Sequence, residues 1–156
     1  NGMAAGAGFS LAAACDIAIA GQSTRFTLAY TAAGLSPDGS STWYLPRLIG
    51  LRRAKELMLT NRMLSADEAC EMGVIDRVVP DDDLYDAALE QAKIFAAGPT
   101  KAYGATKRLL QETWDAGLET QMDRETRSIA ALTRTADAVE GIDGFVNKRK
   151  PDFKGR

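Results

Sequence analysis

Histidine is absent from this 156-residue chain. Any proton transfer must therefore fall to carboxylates, lysine, tyrosine or cysteine. Cysteine is scarce: Cys15 and Cys70 lie in apolar or helical contexts without CxxC spacing. They read as buried, reduced thiols of a cytoplasmic protein. With no histidine and no cysteine cluster, the usual ligand sets of structural zinc are missing, and no metal is expected. An excess of one charge is also lacking. A net charge of −2 leaves no electrostatic footprint for nucleic acid. The one long apolar stretch, residues 2–20, has no basic leader and carries Ser10 and Asp16. It fits neither a signal peptide nor a membrane span, so no membrane partner is expected.

What is present is ordinary for a soluble domain: 46% hydrophobic and 26% charged residues, enough for one compact domain with a core. Two local features carry chemistry. Asn1-Gly-Met-Ala-Ala-Gly-Ala-Gly8 is a small-residue loop that lets a ligand approach backbone N–H groups closely. Asp38 stands between Pro37 and Gly39, a turn context because Pro fixes φ and Gly permits positive φ. Together they suggest a backbone oxyanion site beside one acid or base. Each has a plainer reading as well. Pro-Asp-Gly is ordinary turn chemistry, and Gly and Ala also serve close helix packing.

Periodicity predicts a short helix running to residue 14 and buried strands at 16–20 and 24–29. It predicts helices at 40–48, begun by N-capping serines, and at 51–60, with Leu51, Ala54, Leu57 and Met58 on the apolar face. Ser65-Ala-Asp-Glu68 is a capping box opening a helix that Gly73 ends, and a strand follows at 74–79. Beyond Pro80 the chain changes character. Residues 81–97, 100–116, 118–133 and 136–147 read as amphipathic helices with no strand between them. The expected division is an α/β part at 1–80 and a helical part at 81–156. So few short strands cannot close a sheet, so upstream residues or another subunit should complete the core. Asn1 opens directly on the glycine loop, which is expected of the interior of a longer protein.

Several spaced motifs together resemble the crotonase (enoyl-CoA hydratase/isomerase) superfamily. They are Asn1-Gly2, Ala4, Gly6, Gly8 and Leu11-Ala12, followed by Cys15-Asp-Ile-Ala-Ile-Ala20. Downstream stand Gly34-Leu35, Pro37-Asp-Gly39, Leu45-Pro-Arg-Leu-Ile-Gly50 and Leu64-Ser-Ala-Asp-Glu-Ala69. Gly73-Val-Ile-Asp-Arg-Val-Val79 and the tail Glu140-Gly141, Phe145, Lys148-Arg-Lys-Pro151 and Phe153 complete the order. The resemblance implies the C-terminal part of a crotonase-like β-β-α superhelix, followed by a helical trimerisation region. It implies an acyl-CoA substrate, with coenzyme A part of that substrate and no separate cofactor, and a homotrimer or dimer of trimers.

By position, the resemblance makes the Ala7 N–H one oxyanion donor, between Gly6 and Gly8, the other donor lying upstream of Asn1. Ser10 and Tyr30 fall where hydratases of the family carry two glutamates, which disfavours hydration by that route. Asp38 falls where two branches place an aspartate. It is a proton-shuttling base in the ring-1,2-epoxyphenylacetyl-CoA isomerase branch and a nucleophile in the 4-chlorobenzoyl-CoA dehalogenase branch. Residues 51–62 resemble the dehalogenase branch. Gly6-Ala-Gly8, Thr42-Trp-Tyr-Leu-Pro-Arg47 and the basic tail resemble the isomerase branch, which is the favoured reading. Burial against Tyr30, Trp43 and Leu35 is expected to poise Asp38 for proton transfer near neutrality.

Tyr30 and Trp43 are either acyl-pocket walls or core aromatics, and Ser10 is a satisfied helix hydroxyl. Lys148, with Arg149 and Lys150, is either a solvated helix end or an approach to the CoA phosphates. Asp16 is read as structural. Outside isomerase chemistry, the alternatives are a hydratase, a dehalogenase-like enzyme, a non-catalytic relative and a fragment with no activity of its own.

Overall fold

The computed structural model describes residues 1–156, which form two compact units, Asn1–Ala88 and Leu89–Arg156. In the first unit, strand β1 (Met3–Ala5) leads straight into helix α1 (Ala7–Ala14). Gly6 makes that junction with φ 53° and ψ −120°, a conformation that a side chain would strain. β1 pairs in parallel with β3 (Arg25–Thr27), Ala4 opposite Phe26. β3 in turn pairs antiparallel with β4 (Leu64–Ser65). A second, two-stranded parallel sheet joins β2 (Ile19–Gly21) to β5 (Arg77–Val79).

Helices α2 (Ser41–Ile49), α3 (Leu51–Thr60) and α4 (Ala66–Met72) supply the rest of the first unit. Their apolar faces meet α1 and the strands in one core, with Phe9, Phe26, Leu28, Leu45, Leu57 and Leu64 almost wholly buried. The Phe9 and Phe26 rings lie 5.3 Å apart, which ties α1 to the central strand β3. Ser65 caps α4 as its sequence implies. Its side chain accepts from the Glu68 N–H, while the Glu68 carboxylate accepts from the Ser65 N–H. Those hydrogen bonds, with Arg62 alongside, hold the Glu68 carboxyl below its ordinary range. Gly73 then closes the helix at φ 82°.

Several expectations need correction. β1 lies inside the stretch read as a loop, because Gly and Ala there mask a strand that only its pairing with β3 reveals. The strands expected at 16–20 and 74–79 are shorter, Ile19–Gly21 and Arg77–Val79. Ser40 does not cap α2 with its side chain; it sits at φ 69°. On α3, Ala54 and Leu57 are buried, but Leu51 is 59% exposed. Cys15 is exposed rather than buried, its thiol donating to the Leu11 carbonyl at 3.3 Å.

The chain continues through α5 (Leu84–Ala96), which crosses from the first unit into the second. The second unit then carries α6 (Thr100–Glu112), α7 (Leu118–Leu132) and α8 (Ala136–Val146). α6 and α7 are linked by polar contacts. Gln121 Nε2 donates to the Leu109 carbonyl at 3.1 Å, and Arg124 reaches both the carbonyl and the carboxylate of Glu112. After α8 the tail folds back along it. The Asp137 carboxylate accepts from the Lys154 and Gly155 N–H groups at 2.7 and 2.8 Å. No helix is long and apolar enough to cross a membrane.

Candidate active site

Ala7 is the first residue of α1, and Gly6 offers no side-chain cap. The N–H groups at a helix start have no intrahelical acceptor and sit at the positive end of its dipole. Ala7 and Gly8 are exposed, and the space a Gly8 side chain would take is open. The N-terminal turn of α1 is thus an accessible pair of small residues whose backbone N–H groups have no acceptor within the helix. Such an arrangement can receive a developing negative charge.

Asp38 opens a turn whose central residues, Gly39 and Ser40, both have positive φ (60° and 69°). The turn closes with the Ser41 N–H donating to the Asp38 carbonyl at 3.3 Å. Two hydroxyls add to that grip: Ser10 Oγ at 3.0 Å and Ser41 Oγ at 3.1 Å donate to the same carbonyl oxygen. Glycine is required at 39 for space as well, since a Cβ there would come within 2.9 Å of Ser10 Cβ. The Asp38 side chain is bound separately, Tyr30 Oη donating to Oδ1 at 2.5 Å.

Gly6, Ser10, Tyr30 and Asp38 thereby come together. A Cβ on Gly6 would lie 3.7 Å from the Tyr30 ring. Ser10 is fully buried on α1, one helical turn beyond Gly6, and its hydroxyl also lies 3.3 Å from the Gly6 carbonyl. The burial expected for Asp38 is not found. The residue is exposed, Leu35 is 63% exposed, and Tyr30 meets the Asp38 carboxylate through its hydroxyl.

Trp43 is half-buried on α2, with its ring against Tyr44 at 4.8 Å and the Arg47 guanidinium stacked 3.8 Å over it. Lys148 lies in the second unit, exposed, in a left-handed conformation just after α8. Its neighbour Arg149 is committed within the chain, bridging Glu140 and Asp143. The Arg149 hydrogen bonds, with the Asp152 N–H, hold the Glu140 carboxyl down at about 2. No three His, Cys, Asp or Glu side chains gather in a way that could hold a metal ion. An apolar groove of about 440 Å³ runs between α6 and α7, lined by Leu109, Met122, Ile129 and Leu132 among others. It contains none of the residues with expected catalytic roles.

Sequence reasoning named Ser10, Tyr30 and Asp38 singly and missed that they form one network. The pattern that could have found it is Ser10 four residues after Gly6, on the buried face of α1. Ser41 was read only among the serines that start a helix, and the buried Asp137 was missed.

All 156 residues match the family model described as enoyl-CoA hydratase/isomerase. The chain is 42% identical, over its whole length, to the 1,2-epoxyphenylacetyl-CoA isomerase of Escherichia coli, covering 60% of that protein. It is 41% identical, again over its whole length, to a "probable enoyl-CoA hydratase" of Rhodobacter capsulatus, covering 61%. The crystal structure of an enoyl-CoA hydratase from Bacillus anthracis superposes with a TM-score of 0.93 at 37% identity, over all of this chain and 60% of that one. The chain therefore spans less than two thirds of the length of the relatives it matches.

Proposed function

This chain belongs to the enoyl-CoA hydratase/isomerase family, and on that premise we propose that the protein binds an unsaturated acyl-CoA thioester and catalyses an isomerase-type proton shift. Coenzyme A enters as part of the substrate, and no separate cofactor or metal is called on. The observation that carries this reading is the accessible carboxylate of Asp38, fixed by Tyr30 on a turn whose carbonyl accepts from Ser10 on α1 and from Ser41.

The chemistry balances without a redox partner. Asp38 takes a proton from the carbon α to the thioester, and the C–H electron pair moves onto the carbonyl oxygen as an enolate. The Ala7 N–H donates to that oxygen, a stabilisation available because the donor is preorganised and otherwise unpaired. Asp38 then returns the proton at the γ-carbon, the electron pair returns from oxygen, and the double bond has moved. Gly6 and Gly8 keep side chains away from the thioester. Tyr30 and Trp43 flank the acyl chain, and in the assembled protein a Lys148 from a neighbouring subunit approaches the CoA phosphates.

Hydration is less well supported. Holding and deprotonating water needs free acceptors, and Ser10 and Tyr30 spend their single protons on Asp38 rather than presenting carboxylates. A nucleophilic, dehalogenase-like role for Asp38 has the resemblance of residues 51–62 behind it but no geometric support.

Assembly into a homotrimer or dimer of trimers through residues 81–156 is supported by apolar side chains left exposed on α7 and α8, including Met122, Ile129, Ile142 and Phe145. The decisive experiment is Asp38→Asn in the complete protein. The expected result is loss of isomerisation by about 100-fold or more with acyl-CoA binding retained. Unchanged turnover removes Asp38 as the base, and no thermal shift on adding an acyl-CoA favours a non-catalytic relative.

A further inference from the structure

An exposed aspartate on a turn is a poor base unless something holds it still, because its side-chain torsions are free to hop. Here the main chain is held by Ser10 and Ser41, but those hydroxyls stop at the Asp38 carbonyl. The geometry points to Tyr30 as the positioning residue that orients the Asp38 carboxylate. It engages Oδ1 so that Oδ2 alone faces the substrate as the basic oxygen. The inference rests on Asp38 acting as the base.

Tyr30 is built to be rigid. Its carbonyl accepts from both the Ala33 and Leu35 N–H groups at 3.0 Å. The preceding residue, Ala29, has φ 57°, which turns the chain sharply after β3. The next residue is anchored too: Thr31 Oγ1 donates to the Met58 carbonyl at 2.8 Å and accepts from Asn61 Nδ2 at 2.6 Å. The Tyr30 ring is flanked by Gly6, whose missing side chain leaves room for it. A phenol has one proton, and the 2.5 Å contact assigns it to Asp38 Oδ1. Ser10 Oγ lies 3.5 Å from Tyr30 Oη. Its own proton is better directed at the Asp38 carbonyl, so that contact adds little.

Tyr30 and Ser10 thus hold the two ends of one residue, the carboxylate and the peptide carbonyl. A residue that only walls the acyl pocket would touch neither. The distinction matters because misplacing a reacting group by about 1 Å can cost around 100-fold in rate without weakening binding.

The test uses the complete protein with 3-hexenoyl-CoA as probe, its conversion to 2-hexenoyl-CoA followed kinetically. Tyr30→Phe keeps the ring and removes only the hydroxyl. The expected result is a kcat lower by about 10- to 100-fold with KM within about twofold. An unchanged kcat, or a raised KM with kcat intact, overturns the assignment and makes Tyr30 a pocket wall. An independent readout needs no turnover. With tyrosine labelled at 13Cζ, the Tyr30 resonance should move in Asp38→Ala, because the phenol loses its charged acceptor. A stationary resonance overturns the inference by itself. If the wild-type protein fails to isomerise the probe while the resonance moves, the base reading fails and the grip of Tyr30 on Asp38 stands.

Discussion

The two units of this chain are stabilised in opposite ways. The first has a dense core in which every almost fully buried apolar side chain lies between Phe9 and Ile75. In the second, α6 and α7 bury no residue completely, and the buried positions of α8 are Asp137 and Gly144. The second unit is held largely by polar contacts: Gln121 and Arg124 of α7 reach α6, and Asp137 and Glu140 of α8 hold the returning tail. Many of its apolar side chains, Leu118 and Phe145 among them, remain exposed. The first unit thus has a packed core beneath its candidate site, whereas the second leaves apolar side chains at its surface.

The contrast can be broken most forcefully in the core. Leu45→Ala should cost about 2–5 kcal/mol by denaturant unfolding, because Leu45 is entirely buried and leaves a cavity. Leu118→Ala, at a position 77% exposed, should cost under about 0.5 kcal/mol in a monomer. A much larger cost in the complete protein, growing with protein concentration, would show that assembly covers that face.

A smaller effect is expected at Asp137, which is 4% exposed and accepts two backbone N–H groups of the tail. Asp137→Ala should cost about 1–3 kcal/mol, and the Lys154 and Gly155 amides should lose protection from hydrogen exchange. Retained protection would mean that the tail is held by something else.

The smallest effect is that of acid. The Glu140 carboxyl, held at about 2 by Arg149 and the Asp152 N–H against an ordinary 4.5, binds its proton less readily folded than unfolded. Its contribution is therefore complete above pH 4.5 and is lost as pH falls towards 2. Because the Glu140–Arg149 pair is only partly shielded from solvent, it should also weaken with salt. Glu140→Gln should flatten this part of the acid-unfolding curve; an unaltered curve would contradict the assignment.

Much of the helical architecture was legible in the sequence. The bounds of α3 follow from its periodicity, its closing Asn61 at φ 53° and the glycine before it, and Ser65 and Glu68 announce α4. The strands were harder to read. β1 is three residues of Met and Ala, too short for alternation to register, and its identity lies in the register with Arg25–Thr27. Leu51 shows the limit of helical periodicity, which assigns residues to a face but does not say whether anything packs there.

In the site, Pro37-Asp-Gly39 marked the turn and the glycine loop marked the approach to the backbone. The Tyr30–Asp38 hydrogen bond was not legible. It depends on the positive φ at Ala29, the 3-10 turn at Thr31–Ala33 and the positive φ at Gly39 and Ser40, which together fold eight residues of chain back on themselves.

The central claim, that a fixed Asp38 moves a proton within the substrate and no water is added, is tested most directly by the product. The complete protein would be incubated with 3-hexenoyl-CoA and the product identified by mass spectrometry. The expected product has the same mass as the substrate with the double bond shifted, and is formed by the wild-type protein and not by Asp38→Asn. A product heavier by one water, or the same isomer formed equally well by Asp38→Asn, would contradict it.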